Sequence, residues 1–155
     1  MTTLTLHSHK LLMLGEQSME SLKVVDYINK HPVRFKPNMP VAEAVELLLA
    51  SKQSGGPVID DKGKLIGFLS EQDCLMQMLE STYYRQQVAS VNEIMSHEVH
   101  PVNPNDSILE LTQRFIKERY KLYPVINDNG ELLGTINRSN ILYAIDIHLK
   151  DGFKQ

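Results

Sequence analysis

The residues best suited to binding chemistry lie in one short segment, Gly67–Asp73, with the sequence GFLSEQD. Ser70 ends an apolar stretch and precedes a helical pattern, so its hydroxyl can cap the helix or bind a phosphate there. Asp73 lies one turn further and offers an acceptor-only carboxylate, which can receive two neighbouring hydroxyls or complement the helix dipole. Gly67 has no Cβ, so its backbone can approach a ligand closely.

Other reactive residues form no complete set. No Ser-His-Asp arrangement, carboxylate pair or phosphate-binding glycine loop occurs at a useful spacing, so the sequence predicts no catalytic residues and no enzyme. His7 and His9 have donor atoms that can ligate a metal, but two histidines near a terminus are usually just solvated, and no acid or cysteine completes a metal set around the other histidines, so no metal is expected. Three further histidines lie near the first extended segments of the chain: His31, His97 and His100. Their imidazoles can face a phosphate when they are charged.

The composition of the 155 residues excludes several classes of protein. There are 16 basic and 19 acidic residues, giving a formal charge of −3, which disfavours nucleic-acid binding. No apolar run is long enough to cross a membrane, and the N-terminus lacks the pattern of a signal peptide. The single cysteine, Cys74, cannot form an intrachain disulfide and fits a reducing compartment. We therefore expect a cytoplasmic protein without membrane insertion.

The elements that position these residues occur twice. At an offset of 67 residues, Val24–Leu75 aligns without gaps to Val91–Leu142, with twelve of 52 positions identical. The stretch PVIDDKGKLIG (Pro57–Gly67) overlays PVINDNGELLG (Pro124–Gly134). Such self-similarity is typical of a duplicated structural unit.

Each copy has the local pattern β-α-β-β-α. In the first, an extended segment (Pro32–Lys36) precedes a helix with 3.6-residue periodicity, two strands joined by a glycine turn, and a closing helix (Glu71–Thr82). In the second, Asp106 is predicted to cap the first helix, and Ser139–Leu149 closes the unit. A unit this small cannot bury enough surface alone. We therefore predict an α/β (α+β) fold of two tandem repeats, packed sheet against sheet with pseudo-twofold symmetry.

The predicted organisation has five parts. Residues 1–23 form an N-terminal leader, and an amphipathic helix is possible over Glu16–Ile28. Repeat one covers 24–82, a polar linker 83–90, repeat two 91–149 and a C-terminal tail 150–155.

The ordered motifs resemble cystathionine-β-synthase (CBS) domains. The similarity rests on the strand beginning Pro-Val-Ile and on the strand that ends in Gly-x-hydrophobic-Ser-x-x-Asp, over about residues 24–149. The resemblance implies a CBS pair, or Bateman module, that binds an adenine nucleotide or adenosyl ligand between its repeats. It also implies a homodimer and a regulated partner protein, with no cofactor required.

The resemblance places one nucleotide site in repeat one. There Asp73 would receive the ribose hydroxyls and apolar residues would wall the adenine; the predicted residues are Gly67, Ser70, Asp73, Val33, Pro57 and Val58. A second site would use Gly134, Asn137, Arg138 and Asn140. An Asn amide has one acceptor oxygen where a carboxylate has two, so this site loses a ribose contact. Arg138 can meet a phosphate or simply be exposed at the helix start. If only one site functions, we expect it to be that of Ser70 and Asp73.

Two functions remain open at this point. The first is a regulatory sensor that binds AMP, ADP, ATP or S-adenosylmethionine and changes conformation. The alternative is a dimeric interaction scaffold without a ligand.

Overall fold

Each repeat contains one antiparallel β-hairpin with helices packed against it, in a computed structural model that describes residues 22–84 and 89–153. Repeat one consists of α1 (Val41–Ser51), β1 (Gly55–Ile59), β2 (Leu65–Ser70) and α2 (Glu71–Tyr84). Repeat two consists of α3 (Val91–Ile94), α4 (Ile108–Glu118), β3 (Leu122–Ile126), β4 (Leu132–Asn137) and α5 (Arg138–Phe153). The predicted mixed α/β class is confirmed.

The first extended segment of each repeat is shorter than a strand. In repeat one it makes a single parallel bridge between Phe35 and Val58, and in repeat two between Val102 and Val125. The Phe35 N–H donates to the Pro57 carbonyl at 3.0 Å, and the Ile59 N–H donates to the Phe35 carbonyl at 2.9 Å. Prolines flank both segments, and their missing N–H groups limit further pairing.

The first long helix of each repeat begins at a capping residue. Pro40 is the N-cap of α1, with an extended backbone at ψ 141°. In α4 the cap is Ser107, whose hydroxyl accepts from the Glu110 N–H at 3.1 Å, so the prediction of Asp106 was wrong by one residue. The Asp106 carboxylate instead accepts from the Asn103 N–H at 3.1 Å and closes the preceding turn.

The segment that opens each repeat packs on the other repeat. Val24 is fully buried in the core of repeat two, and its N–H donates to the Asp106 carbonyl at 3.0 Å. Val91 is fully buried in the core of repeat one, and its N–H donates to the Met39 carbonyl at 2.9 Å. The described part of the predicted Glu16–Ile28 helix forms a short 3-10 turn at Val24–Asp26, because these backbone groups pair with repeat two. The rest of that prediction lies outside the described residues.

The hairpin turns of the two repeats meet across a pseudo-twofold axis. The Leu65 N–H donates to the Gly130 carbonyl at 3.0 Å, and the Leu132 N–H donates to the Gly63 carbonyl at 3.0 Å. The 67-residue offset relates the donor of one bond to the donor of the other, and likewise the two acceptors, as a pseudo-twofold axis requires. The opening segments, each packed on the other repeat, and the two bonded hairpin turns hold the repeats together. Residues of both repeats can therefore line one cleft.

The described helices include none that is both long enough and apolar enough to span a membrane.

Candidate functional site

The junction between β2 and α2 places Ser70 and Asp73 against each other. The Asp73 N–H donates to the Ser70 hydroxyl at 3.1 Å, and the Ser70 N–H donates to Asp73 Oδ2 at 2.9 Å. This reciprocal pair satisfies two of the free donors at the helix start. In the hydrogen bonds of the described residues, Oδ1 of Asp73 has no partner. The junction is therefore capped while one carboxylate oxygen is still available to a ligand.

The equivalent junction in repeat two has the same geometry with different chemistry. The Asn137 N–H donates to Asn140 Oδ1 at 2.9 Å, and the Asn140 N–H donates to Asn137 Oδ1 at 2.8 Å. The capping bond uses the one amide oxygen of Asn140, so the remaining Nδ2 can only donate. A ribose hydroxyl that needs an acceptor finds no second oxygen on this side chain, only the remaining lone pair of the capping Oδ1.

A cleft between the repeats opens in front of Ser70 and Asp73. The cavity has a volume of about 390 Å³. Repeat one supplies the β2–α2 junction and Phe68, and repeat two supplies the opposite wall. The lining residues from repeat two are Ser96, Glu98, Val99, His100 and Arg119 to Pro124.

An aromatic wall faces the carboxylate from repeat two. The His100 and Tyr120 rings lie 4.7 Å apart between centroids at an angle of 32°, and the Tyr120 hydroxyl is 2.8 Å from His100 Nε2. Tyr123 stands behind them with its centroid 5.6 Å from that of Tyr120. Tyr120 is 41% exposed, so part of its ring surface is free to stack against a base.

Buried bonds hold the rear of this wall in place. The Tyr123 hydroxyl donates to Glu118 Oε2 at 2.6 Å, and the Arg114 guanidinium lies over the Tyr123 ring at 4.6 Å. Burial, and then the Glu118 bond, raise the pKa of the Tyr123 phenol, so it remains a neutral donor. The same bond lowers the pKa of Glu118. Tyr123 is thus fixed from both its face and its hydroxyl.

Charges of both signs surround the opening. Glu71 of repeat one and Glu98, Arg119 and Lys121 of repeat two all line the cavity. Glu98 Oε1 lies 3.7 Å from His100 Nε2, and this contact becomes an ion pair when the imidazole is protonated. The basic residues can therefore meet a phosphate that is held near the Ser70 hydroxyl.

The structure leaves three predicted site residues outside this cavity. Val33, Pro57 and Val58 do not line it. They are the repeat-one equivalents of His100, Pro124 and Val125, and the Val58 side chain is completely buried in its own repeat. Their grouping with Ser70 and Asp73 stays a prediction, and in this cavity the Ser70–Asp73 junction faces the wall of the other repeat, not of its own.

The predicted role of Gly67 needs correction. Gly67 is buried, and a Cβ at this position would lie 2.5 Å from Met95 Sδ and 3.0 Å from the Ser96 carbonyl oxygen. The close approach that glycine permits is therefore to the opening segment of repeat two. Phe68 and Ser96 pair as a bridge there, with both N–H···O distances at 2.9 Å. Gly67 acts by holding the cavity wall against β2.

The remaining predicted residues are in repeat two. Gly134 is packed against the Asn29 carbonyl, as Gly67 is against Ser96. Arg138 does not line the cavity of Ser70; it borders a groove between α4 and α5 together with Arg119 and Ile141. Cys74 is buried, and burial raises the pKa of its thiol, so it packs as an apolar residue.

Sequence reasoning missed Tyr120 and the two basic residues beside it. His100 was noted for its charge, and the structure places it in the cavity; His31 and His97 are exposed and do not line it. No local signal in the sequence places these residues at the site. The structure sets the residues just before the second β-hairpin opposite the junction that follows the first.

Comparison with known proteins identifies the family and supports the fold. The family model for the CBS domain matches residues 24–80 and 91–147. The chain belongs to the CBS domain family. It is 32% identical over 127 residues to CBS domain-containing protein MJ0729 of Methanocaldococcus jannaschii, covering 80% of this chain and 95% of that protein. The two repeats described above are thus two CBS domains.

Solved structures of CBS pairs superpose on the chain. The structure of CBSX2 in complex with AMP has 27% identity and a TM-score of 0.70, and the match covers 83% of this chain and 98% of the solved chain; CBSX2 is a protein of Arabidopsis thaliana. The CBS domain pair of protein MJ0100, in complex with 5-methylthioadenosine and S-adenosyl-L-methionine, has 20% identity and a TM-score of 0.68. It covers 81% of this chain and 97% of that domain pair, and it supports the fold alone.

Proposed function

We propose that the chain is a regulatory module that binds an adenine nucleotide in the cleft between its two CBS domains. The observation that carries this proposal is the Asp73 carboxylate, which lines a cavity walled by aromatic residues of the other domain and whose Oδ1 has no hydrogen-bond partner among the described residues. A carboxylate suits the ribose hydroxyls, an exposed aromatic ring suits the base, and basic residues beside a capped helix start suit the phosphate.

AMP is the first ligand to test. The related CBSX2 was solved with AMP, and its chain resembles this one over nearly its full length. In our proposal the adenine stacks on Tyr120 and His100, while Asp73 Oδ1 receives ribose hydroxyls. Ser70, Arg119 and Lys121 then meet the phosphate. ADP, ATP and S-adenosylmethionine are the alternative ligands.

A ligand in this position would act as a link between the two domains. Asp73 belongs to the first domain and Tyr120 to the second, so binding favours conformations in which both contacts form at once. The protein would then present a different surface to a regulated partner, and no catalytic step is involved. We also propose that the chain forms a homodimer, as its family resemblance implies.

The experiment is titration calorimetry on the full chain with AMP, ADP, ATP and S-adenosylmethionine. We expect Asp73→Ala to abolish binding and Asn140→Ala to leave it unchanged. The two substitutions remove the same capping bond, so they match each other in structural cost, and only Asp73 has the spare oxygen. Undiminished binding by Asp73→Ala would remove the assignment.

A scaffold function without ligand has one observation in its favour. The polar groups of Ser70 and Asp73 already bond each other across the junction, so the structure does not require a ligand to satisfy them. If none of the four compounds binds or raises the Tm, this second function is preferred.

A further inference from the structure

The imidazole of His100 lines the cleft and is held between two polar groups. Its Nε2 lies 2.8 Å from the Tyr120 hydroxyl and 3.7 Å from Glu98 Oε1. When Nε2 of a neutral ring carries no proton, the hydroxyl donates to it. When the ring is protonated, Nε2 donates to the hydroxyl oxygen and faces the Glu98 carboxylate. The same geometry accommodates both states, so protonation changes the charge of this wall without requiring its rings to move.

Charged groups from several elements surround the His100 ring. Behind it, α4 contributes Glu118 and also Arg114, which donates to the neighbouring Pro101 carbonyl at 3.4 Å. The Tyr123 bond, and after it the charges of Arg114 and His100, hold the pKa of Glu118 below its usual value. The other groups that line the cleft are Glu71 and Asp73 of α2, Glu98, and Arg119, Tyr120 and Lys121 before β3. The carboxylates favour a proton on His100, and the basic side chains oppose it.

With His100 neutral, the side chains that line the cleft carry more negative than positive charge. Three carboxylates and two basic groups line it, those of Glu71, Asp73, Glu98, Arg119 and Lys121. An anionic phosphate therefore enters against a net negative charge. A proton on His100 balances the positive and negative side chains. The charge state of this one imidazole thus decides how well the cleft suits an anionic ligand.

The fold does not itself require a histidine at this position. In the first domain Val33 and Gln53 stand where the second has His100 and Tyr120, and neither of those side chains titrates. The contact between His100 and Tyr120 is therefore not a consequence of the duplication. A neutral side chain is accepted at the equivalent place in the same kind of domain, so the charge of His100 can be removed by substitution.

We propose that protonation of His100 strengthens nucleotide binding, so that the affinity of the cleft depends on pH in the range where histidine changes charge. The proposal rests on the nucleotide site proposed above and adds its regulation. Because coupling between two ligands is reciprocal, a bound phosphate also favours the protonated imidazole. A fall in pH then shifts the chain toward the ligand-bound conformation, as a higher nucleotide concentration does.

The experiment is calorimetric titration of the full chain with AMP between about pH 8 and about pH 5.5. The variant is His100→Gln, and the matched control is His31→Gln, which removes an exposed histidine that does not line the cleft. A phosphate also titrates in this range, so the variant and native dissociation constants are compared as a ratio at each pH. We expect the His100→Gln ratio to rise by about two- to fivefold toward acid pH, as for a partly exposed charge pair. The control ratio should stay constant.

The possible failures can be told apart. A His100→Gln ratio that does not vary with pH would overturn this proposal and keep the nucleotide site, because AMP still binds. No AMP binding at any pH would overturn the proposed function and this proposal with it. If His100→Gln does not fold, NMR of the native protein decides. AMP should then increase the protonated fraction of the His100 imidazole at constant pH, and an unchanged fraction would contradict the proposal.

Discussion

Asp73 and Asn140 make the same backbone hydrogen bond at the same place in the two domains, and of the two only Asp73 has an acceptor oxygen left over. The substitution Asp73→Asn therefore converts the first junction into the second without removing its cap. The chain itself shows that asparagine is accepted at this position. This separates the binding role of the carboxylate from its structural role.

The first prediction concerns the ribose. We expect the native protein to bind AMP more tightly than 2′-deoxy-AMP by about tenfold or more, since a hydrogen bond to a charged group contributes about 1.5–3 kcal/mol. Asp73→Asn should lose most of that preference while its Tm without ligand is unchanged. Calorimetry with both nucleotides measures the difference. A preference that persists in the variant would show that another group recognises the 2′-hydroxyl.

The second prediction concerns the base. Stacking of a base on an aromatic side chain contributes about 1–3 kcal/mol, so Tyr120→Ala should weaken AMP binding by about five- to 150-fold. Tyr120→Phe keeps the ring, loses the 2.8 Å contact to His100, and should bind nearly as well. The matched control is Gln53→Ala, at the equivalent position in the first domain. Equal loss in Tyr120→Ala and the control would argue against stacking.

Much of the fold follows from the sequence because its signals are local. The offset, the glycine turns and the helical periodicity predicted two hairpins with flanking helices, and the structure contains them. Helix ends were less accurate. The α5 helix starts at Arg138 and not at Ser139, since the Asn137–Asn140 capping pair fixes where it begins.

The sequence predicted only one half of the candidate site. Ser70 and Asp73 lie on one continuous segment, so their spacing indicates that they meet. Tyr120 reaches the same cavity only because the opening segments exchange between domains, with Val24 and Val91 each buried in the opposite core. That exchange is a tertiary relationship with no local signature in spacing or periodicity. The sequence therefore grouped Val33 with Ser70 and Asp73, and in the structure Val33 does not line their cavity.

The third prediction tests the close contacts of β2 and β4. Gly67→Ala should lower the free energy of unfolding by about 1–3 kcal/mol, because the new Cβ presses on Met95 and the Ser96 carbonyl. Gly134→Ala should lower the free energy of unfolding further, since the nearest atoms belong to the Asn29 backbone, which cannot change rotamer to make room. Gly152→Ala, with open space around its Cα, is the control. Urea unfolding measures all three, and an unchanged Gly134→Ala midpoint would contradict the packing.

The fourth prediction concerns Lys52, which ends α1 in the left-handed region at φ 58°. A side chain in that region is strained, and glycine is not. We expect Lys52→Gly to stabilise the protein by about 0.5–1 kcal/mol after the entropy of the unfolded glycine is counted. Thermal unfolding measures the change. Lys52→Ala keeps the backbone strain and should not stabilise the protein. Because both variants remove the lysine charge, an equal rise in Tm in both would show that the charge, and not the strain, is responsible.

The last prediction uses the bond between Tyr123 and Glu118. The bond lowers the pKa of Glu118 below its usual 4.5, so its contribution to stability is present above that value and is lost as pH falls through the lower folded pKa. The pKa of Tyr123 is raised above its usual 10, so the corresponding stability is full below pH 10 and declines as pH rises beyond it. Tyr123→Phe removes both effects. The difference in unfolding free energy between native protein and variant should therefore be largest near neutral pH and shrink at both extremes. Denaturant titrations from acid to alkaline pH measure it, and a difference that does not vary with pH would contradict the role given to the Tyr123–Glu118 bond.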